Sequence, residues 1–207
     1  MDKKYEITKK TTKLYGRTIR MIRAIDDFSD IKAGDLGGYI ESEDNLSHEG
    51  NCWIYDGAMV TDQAQISGNA ILRENCWVSG NSRVWGDTQV IGNVEISEDA
   101  KVSENAWVYG DTRVSGTARI FGNARVSGHS HVSGLAWVYG DAHISGDARI
   151  FGNARVYGDA WIDINDWSYI RRGNINRGIW NQQVKINGKF YLISSTLEKL
   201  LIGIRDE

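Results

Sequence analysis

Residues 106–123 read AWVYGDTRVSGTARIFGN, three hexads that share one pattern and decide the fold. Each hexad opens with a small residue, has an aliphatic residue at its third place and has glycine at its fifth. The aliphatic place recurs every six residues from Ile54 to Ile162, nineteen times without a gap. A repeat of this kind indicates a solenoid, in which each unit buries its apolar side against the next.

The hexad predicts a short β-strand followed by a corner. Its first four residues alternate between inward and outward positions, which is the period of a strand and not of a helix. Pairs such as Gly110-Asp111 and Gly122-Asn123 predict a tight corner with positive φ. The absence of proline beside 23 glycines fits turns that are all of one kind. Three sides of six residues predict a triangular prism with about six coils between Ile54 and Ile162.

Two resemblances to known proteins follow from these residues. The hexads resemble the hexapeptide-repeat family, which implies a single-stranded left-handed parallel β-helix. The segment Lys32–Ser47 reads KAGDLGGYIESEDNLS and leads into repeats such as Gly-Asn-Ala-Arg-Val-Ser-Gly. It is similar to a group of phage and prophage proteins that mostly lack an assigned function. That resemblance implies a phage or prophage origin more than an activity.

The chain divides into a repeat domain between two caps, since a solenoid has to cover its end coils. We expect a β cap over residues 1–50, the β-helix over 51–162 and a second cap over 163–207. Tyr5–Thr8 and Thr18–Arg23 alternate as strands in the first cap. In the second cap, Val184–Ile193 predicts a hairpin around Asn187-Gly188. Ser195–Glu198 then reads as a capping box that opens a short helix to about Ile202. In folds that the repeats resemble, such a terminal helix often helps to hold a trimer.

The charges of the first cap are strongly segregated. Residues 1–23 carry eight Lys or Arg against two acids, and residues 24–50 carry eight acids against one Lys. Neutralisation between neighbouring strands is the first interpretation, and a basic patch for nucleic acid is the second. The whole chain has a net charge of −3, which argues against wholesale binding to nucleic acid or to a membrane.

No catalytic, metal or cofactor site emerges from the sequence. Acyltransferases that resemble this fold use a histidine base and a loop extruded from a coil, but the nineteen hexads contain no insertion. His129 and His131 are only two residues apart, but His143 lies two sides further around the prism, so the three do not converge on a zinc ion within one chain. A zinc site shared between subunits is the alternative. Cys52 and Cys76 occupy inward places and are expected to be core thiols. The chain has no long apolar run and no signal-type start, so we expect a cytoplasmic protein.

One outward side of the prism differs from the other two because it is both basic and aromatic. Its candidate binding residues are Arg83, Trp85, Lys101, Arg119, Phe121, Trp137, Tyr139, Arg155 and Tyr157. Tryptophan, tyrosine and arginine are the residues that interfaces favour. The side could form a homo-oligomer, with a trimer favoured, or bind a host protein or nucleic acid. It could also be an exposed sheet with β-favouring side chains.

The sequence therefore predicts a non-enzymatic binding or scaffold protein, encoded by a phage, that could antagonise a host defence system. One alternative is an enzyme of the acyltransferase type, and another is a structural component of a virion.

Overall fold

The N-terminal part of the chain forms three strands before the repeats begin. The computed structural model describes residues 3–164, 169–170, 174–176, 179–186, 189–194 and 202–204. Strands β1 (Tyr5–Leu14) and β2 (Arg17–Ala24) form an antiparallel hairpin, and β3 (Leu36–Ile40) pairs antiparallel with β2. This hairpin contains both strands that the sequence predicts in the first cap. A 3₁₀ turn at Glu43–Asn45 follows and is the only helical segment in the described residues. No helix within them has the length and apolar character needed to cross a bilayer.

Short parallel strands follow one another through the middle of the chain. They are β4 (Trp53–Ile54), β5 (Met59–Val60), β6 (Gln65–Ile66), β7 (Ile71–Arg73), β8 (Trp77–Val78), β9 (Arg83–Val84), β10 (Gln89–Gly92), β11 (Glu95–Ile96), β12 (Lys101–Val102), β13 (Trp107–Gly110), β14 (Arg113–Val114), β15 (Arg119–Ile120), β16 (Arg125–Val126), β17 (His131–Val132), β18 (Trp137–Val138), β19 (His143–Gly146), β20 (Arg149–Ile150), β21 (Arg155–Val156), β22 (Trp161–Ile164), β23 (Tyr169–Ile170) and β24 (Asn174–Ile175). Every third strand lies in the same sheet, and pairing joins residues eighteen apart, as in Gln89↔Trp107. The predicted all-β parallel solenoid is confirmed.

The solenoid has about seven turns, one more than the spacing predicts, because each of the three sheets takes seven of these short strands. The extra turn lies beyond Ile162, where Ile170 pairs with Ile150 and Ile175 pairs with Val156. Both residues are nearly fully buried, so they continue the core. The six-residue spacing of the aliphatic residues breaks between Ile162 and Ile170. The spacing therefore predicts one turn fewer than the structure has.

Aliphatic side chains stacked along the axis fill the interior. All nineteen aliphatic places from Ile54 to Ile162 are at most 1% exposed, and so are the small residues two places before them. Burying one Val, Leu or Ile side chain contributes about 1.5–3 kcal/mol, so these stacks dominate the stability of the solenoid. Trp53 departs from the pattern, since its place points outward but its ring is buried. The rings of Phe28 and Tyr5 cover it, at centroid distances of 5.4 and 6.4 Å.

The corners have the positive φ that the Gly-Asn and Gly-Asp pairs predict. Glycines such as Gly80 and Gly122 supply it. The Asn and Asp residues that follow them do not take positive φ, and their side chains bond along the axis, as when Asn123 Nδ2 donates to Asp141 Oδ1 over 2.8 Å. The chain bends at the glycine, and the next residue ties one coil to its neighbour.

The C-terminal strands extend the sheet that contains β22. Strand β25 (Ile179–Ile186) pairs parallel with β22 and antiparallel with β26 (Lys189–Ser194), which confirms the pairing of the predicted hairpin. Strand β27 (Ile202–Ile204) adds to β26 in antiparallel register. The hairpin turn at 187–188 and the predicted helix from 195 to 201 lie outside the described residues. Ile202 lies in a strand, so its assignment to the end of a helix is wrong.

Candidate functional site

The nine residues singled out from the sequence lie together on the outer surface of one sheet. Its strands are β6, β9, β12, β15, β18, β21 and β24. We call their outward side the aromatic–basic face, defined by Arg83, Trp85, Lys101, Arg119, Phe121, Trp137, Tyr139, Arg155 and Tyr157. Strand register stacks one column in the order Arg83, Lys101, Arg119, Trp137 and Arg155. The second column, two residues further along each hexad, contains the other four aromatic residues.

Three rings of the second column form a continuous stack. Phe121 and Tyr139 lie 4.9 Å apart with an interplanar angle of 1°, and Tyr139 and Tyr157 lie 5.1 Å apart at 6°. This spacing is close to the distance of about 4.8 Å between paired strands, so the sheet itself sets it. Within the stack, the facing sides of the three rings cover one another. The column therefore presents ring edges and tyrosine hydroxyls to a partner, with no free gap for an inserted ring.

Trp137 is held between two guanidinium groups in the first column. The Arg119 and Arg155 carbons lie 5.1 and 4.9 Å from its ring centroid, on neighbouring strands to either side. Phe121 meets the same indole edge to face at 6.1 Å and 75°. Cation–π contacts of this kind contribute about 0.5–1 kcal/mol at exposed sites. They hold the two arginines against the indole, and neither arginine forms an ion pair with an acid among the residues that the structure describes.

Acidic corners border the cations of this face on both sides. Asp87 and Asp141 follow its strands at one corner, and Asp99 precedes them at the other. A shallow recess is lined by Arg83, Lys101 and Asp99 among others. The face is therefore rich in charge but mixed in sign, which suits a partner that presents both signs.

The histidines of the repeats lie on three separate surfaces. Burial, with Arg149 and Arg113 nearby, lowers the pKa of His131, whose Nε2 lies 3.5 Å from Ser115 Oγ. His143 stacks on Trp161 at 4.6 Å, and burial with Arg125 lowers its pKa.

His129 lies at a corner, where its Nδ1 is 3.3 Å from a carboxylate oxygen of Asp111. Among the described residues, no three His, Cys, Asp or Glu side chains gather where they could bind a metal ion.

Both cysteines are buried free thiols, as expected of core positions. Burial raises the pKa of Cys76 to about 12. Cys52 has a neighbour that the sequence does not reveal, since Lys4 Nζ lies 3.2 Å from its Sγ. The same ammonium donates to the carbonyl oxygens of Gly50 and Cys52 over 3.0 and 2.9 Å. No short-range pattern predicts this contact, because forty-eight residues separate the partners.

Two segments of the chain, residues 118–134 and 148–162, match the family model of the YdcK Beta solenoid repeat. The chain is a β-solenoid repeat protein. The matched segments include four members of the aromatic–basic face, namely Arg119, Phe121, Arg155 and Tyr157. The other five members of the face, Trp137 and Tyr139 among them, lie outside the matched segments.

A curated relative of this β-solenoid protein is the "Uncharacterized acetyltransferase YdcK" of Escherichia coli (strain K12). The two sequences are 40% identical over 73 residues, which is 29% of this chain and 22% of the relative. The match thus spans about a fifth of the relative's length. Together with the solenoid architecture, this match supports the prediction from the sequence that the chain is a β-helix built from repeats.

Proposed function

We propose that this chain is a non-enzymatic binding and scaffold protein whose interface is the aromatic–basic face. The observation that carries the proposal is the stack of Phe121, Tyr139 and Tyr157 beside the Arg119–Trp137–Arg155 sandwich. These side chains already occupy defined positions, so a partner has little side-chain entropy left to freeze. In this proposal the six-residue repeats are of the hexapeptide, left-handed type, and they serve as a rigid support.

A second copy of the chain is the first partner that the face suits. Its basic column can meet the acidic corners of a neighbouring prism, for instance Asp87 and Asp141, while ring edges pack at the centre. Closed cyclic assemblies are the usual form of soluble oligomers, and a trimer is the state we favour.

A more specific proposal concerns the biological role of the protein. The phage-like segment Lys32–Ser47 motivates a phage-encoded protein that works in the host cytoplasm. There it would antagonise a host defence system by holding a host protein or nucleic acid against the same face. The mixed charge of the face favours a protein in this role over a uniformly anionic polymer.

The test is solution mass by size-exclusion chromatography with light scattering, for wild type and for Trp137→Asp with Tyr139→Asp. The chain offers a matched control, because residues 107–111 and 137–141 are both WVYGD. Trp107→Asp with Tyr109→Asp makes the same change on another sheet. We expect an oligomer that the first variant dissociates and the control preserves.

A wild-type monomer would contradict self-association and direct the search to foreign partners. The aromatic–basic face would then be the bait surface in pull-downs from host lysate, compared with the same double variant. Equal capture by wild type and by Trp137→Asp with Tyr139→Asp would contradict the proposal that this face is an interface at all.

Acyl transfer is the second candidate, and the name of the curated relative is what favours it. In such a reaction an acetyl group leaves the thioester of acetyl-coenzyme A for an acceptor hydroxyl or amine, and a free thiol is released. Among the histidines of the repeats, His129 lies beside a carboxylate, that of Asp111, although both side chains are well exposed. Acetyl-coenzyme A turnover that His129→Asn abolishes would support an enzyme and contradict the binding-only proposal.

A further inference from the structure

The N-terminal hairpin carries a second charged surface, separate from the aromatic–basic face. Residues 1–23 contain eight basic side chains, and the structure divides them into two groups of four. Lys3 and Arg17 pair with Glu43 and Glu41 over 2.6 and 3.1 Å. Arg23 pairs with Glu6 in the same hairpin, and Lys4 donates to buried carbonyls. Neutralisation by the neighbouring acids, the first interpretation of the sequence, thus accounts for only part of the charge.

The other four basic residues have no such partner. Lys9, Lys10, Lys13 and Arg20 are all exposed, and none of them forms an ion pair with an acid anywhere in the described part of the chain. Four uncompensated cations on a two-stranded ribbon make a local positive surface on a chain whose net charge is −3.

Two of these lysines lie in a β-bulge of strand β1. The register of the hairpin shifts between Ile7 and Thr11, so extra residues on β1 lie opposite Met21. Thr8 holds the bulge, because its Oγ1 donates to the Met21 carbonyl over 2.9 Å and accepts from the Lys10 amide over 3.2 Å. Lys9 and Lys10 lie within the bulge and are exposed, as is every residue of β1 from Lys9 to Lys13.

The register beyond the bulge places the other two cations beside hydroxyl groups. Thr11 lies opposite Arg20, and Lys13 lies opposite Thr18, so these four side chains share one face of the ribbon. All four residues are exposed. Lysine and arginine beside threonine hydroxyls are the donors that contact phosphate oxygens in protein–DNA complexes.

We propose that the β1–β2 ribbon binds the phosphate backbone of nucleic acid through Lys9, Lys10, Lys13 and Arg20. A membrane surface fits the ribbon less well, because this face carries threonines where an interfacial element needs apolar side chains. The proposal does not depend on the aromatic–basic face, whose cations lie among acidic corners.

Strand β1 is the edge of its sheet, and lysines on an edge strand can serve only to prevent edge-to-edge aggregation. Arg20 separates the two explanations. It lies on β2, which is paired on both sides, so edge protection does not require its charge. Nucleic-acid binding does require it.

The experiment measures fluorescence anisotropy of a short labelled DNA duplex and of the matching single strand over a range of salt concentrations. The test variant is the triple Lys10→Gln, Lys13→Gln and Arg20→Gln. The matched control is Lys32→Gln, Arg113→Gln and Arg125→Gln, which removes three exposed positive charges outside both the hairpin and the aromatic–basic face. We expect the hairpin variant to lose at least about tenfold in affinity and to reduce the salt slope by about 3, while the control changes affinity less than about twofold.

Arg20→Gln alone should weaken DNA binding while light scattering shows an unchanged monodisperse protein. Three results would overturn the proposal. The first is that wild type does not bind either DNA at low salt. The second is equal loss in the two triple variants. The third is binding to phosphatidylserine vesicles without binding to DNA.

Discussion

At the scale of single residues, the corners decide how closely the coils can approach. A Cβ added at Gly80 would lie 2.7 Å from the backbone nitrogen of Glu98 in the next coil. Glu98 shows how an acidic residue can take the place of the corner glycine. Glu98 itself has a φ of 60°, and its carboxylate accepts the Gly116 amide over 2.8 Å. Either no side chain or one that bonds the next coil is therefore compatible with the corner.

The first prediction separates close approach from backbone strain. Gly16 has a φ of 82° and Gly80 one of 66°, but a Cβ at Gly16 meets no atom within 4 Å. Gly16→Ala should therefore cost only the left-handed strain, about 1–2 kcal/mol. Gly80→Ala should cost clearly more, because the backbone of the next coil has to move. Urea unfolding of both variants measures the difference, and equal losses would show that coil contact plays no part.

The second prediction concerns Cys76 and alkaline pH. Its thiol has a pKa of about 12 in the folded chain against 9.0 ordinarily, because it is buried. The unfolded thiol ionises first, so this contribution to stability is complete below pH 9 and is lost as the pH rises toward 12. Between pH 8 and pH 10.5, the free energy of unfolding of Cys76→Ala should therefore rise by about 2 kcal/mol relative to that of wild type. Alanine fits the place, as Ala58 and Ala70 show.

Denaturant unfolding of wild type and Cys76→Ala at the two pH values checks this prediction. Every other titratable group is the same in both proteins, so its contribution cancels in the comparison. An equal decrease in the free energy of unfolding of both proteins would show that the Cys76 thiol does not cause the loss of stability at alkaline pH.

At the scale of elements, one buried ammonium is part of the attachment of the N-terminal hairpin to the solenoid. Lys4 is 6% exposed and donates to carbonyl oxygens of Gly50 and Cys52, next to the first strand of the solenoid. Burial lowers the pKa of this lysine, but its bonds satisfy buried carbonyls of the first coil. The hairpin closes the core at this end, with Tyr5 and Ile22 buried above Ile40.

The third prediction compares two adjacent lysines. Lys4→Met should destabilise the chain by about 2–3 kcal/mol, because buried carbonyl groups lose their donor. Lys3→Met should change stability by less than about 0.5 kcal/mol, since its pair with Glu43 is exposed. Thermal and urea unfolding of the two variants give the comparison. Similar effects of both changes would mean that Lys4 does not anchor the hairpin.

At the scale of the whole molecule, the core and the outer faces depend on different sequence repeats. The core needs an aliphatic residue every six residues, whereas a face needs the right residue every eighteen. All three sides have the same kind of interior, so an added hexad should keep the core intact. It would rotate everything after it by one side and divide the aromatic–basic face.

The fourth prediction uses two duplications inserted after His129, between Phe121 and Tyr139. Duplicating residues 124–129 adds one side and places Tyr139 above Ser127 in place of Phe121, so it should preserve the β-sheet circular dichroism and cooperative melting while abolishing self-association. Duplicating residues 112–129 adds a full turn and should preserve both folding and self-association, because Trp137 and Tyr139 then lie above a copy of Arg119 and Phe121. Loss of folding in the first variant would contradict the equivalence of the three sides. Retained association in that variant would contradict the role of the continuous face.

The repeat, the inward and outward positions, the small core residues and the grouping of nine side chains on one face can all be read from the sequence. These are local properties, because strand alternation and a constant spacing reach only as far as the next hexad. The seventh turn, the burial of Trp53, the anchoring of Lys4 and the set of hairpin cations without an acidic partner among the described residues become visible only in the folded chain. Each depends on segments distant in the chain, and the contacts between them are set by how the caps pack on the end coils and not by any period.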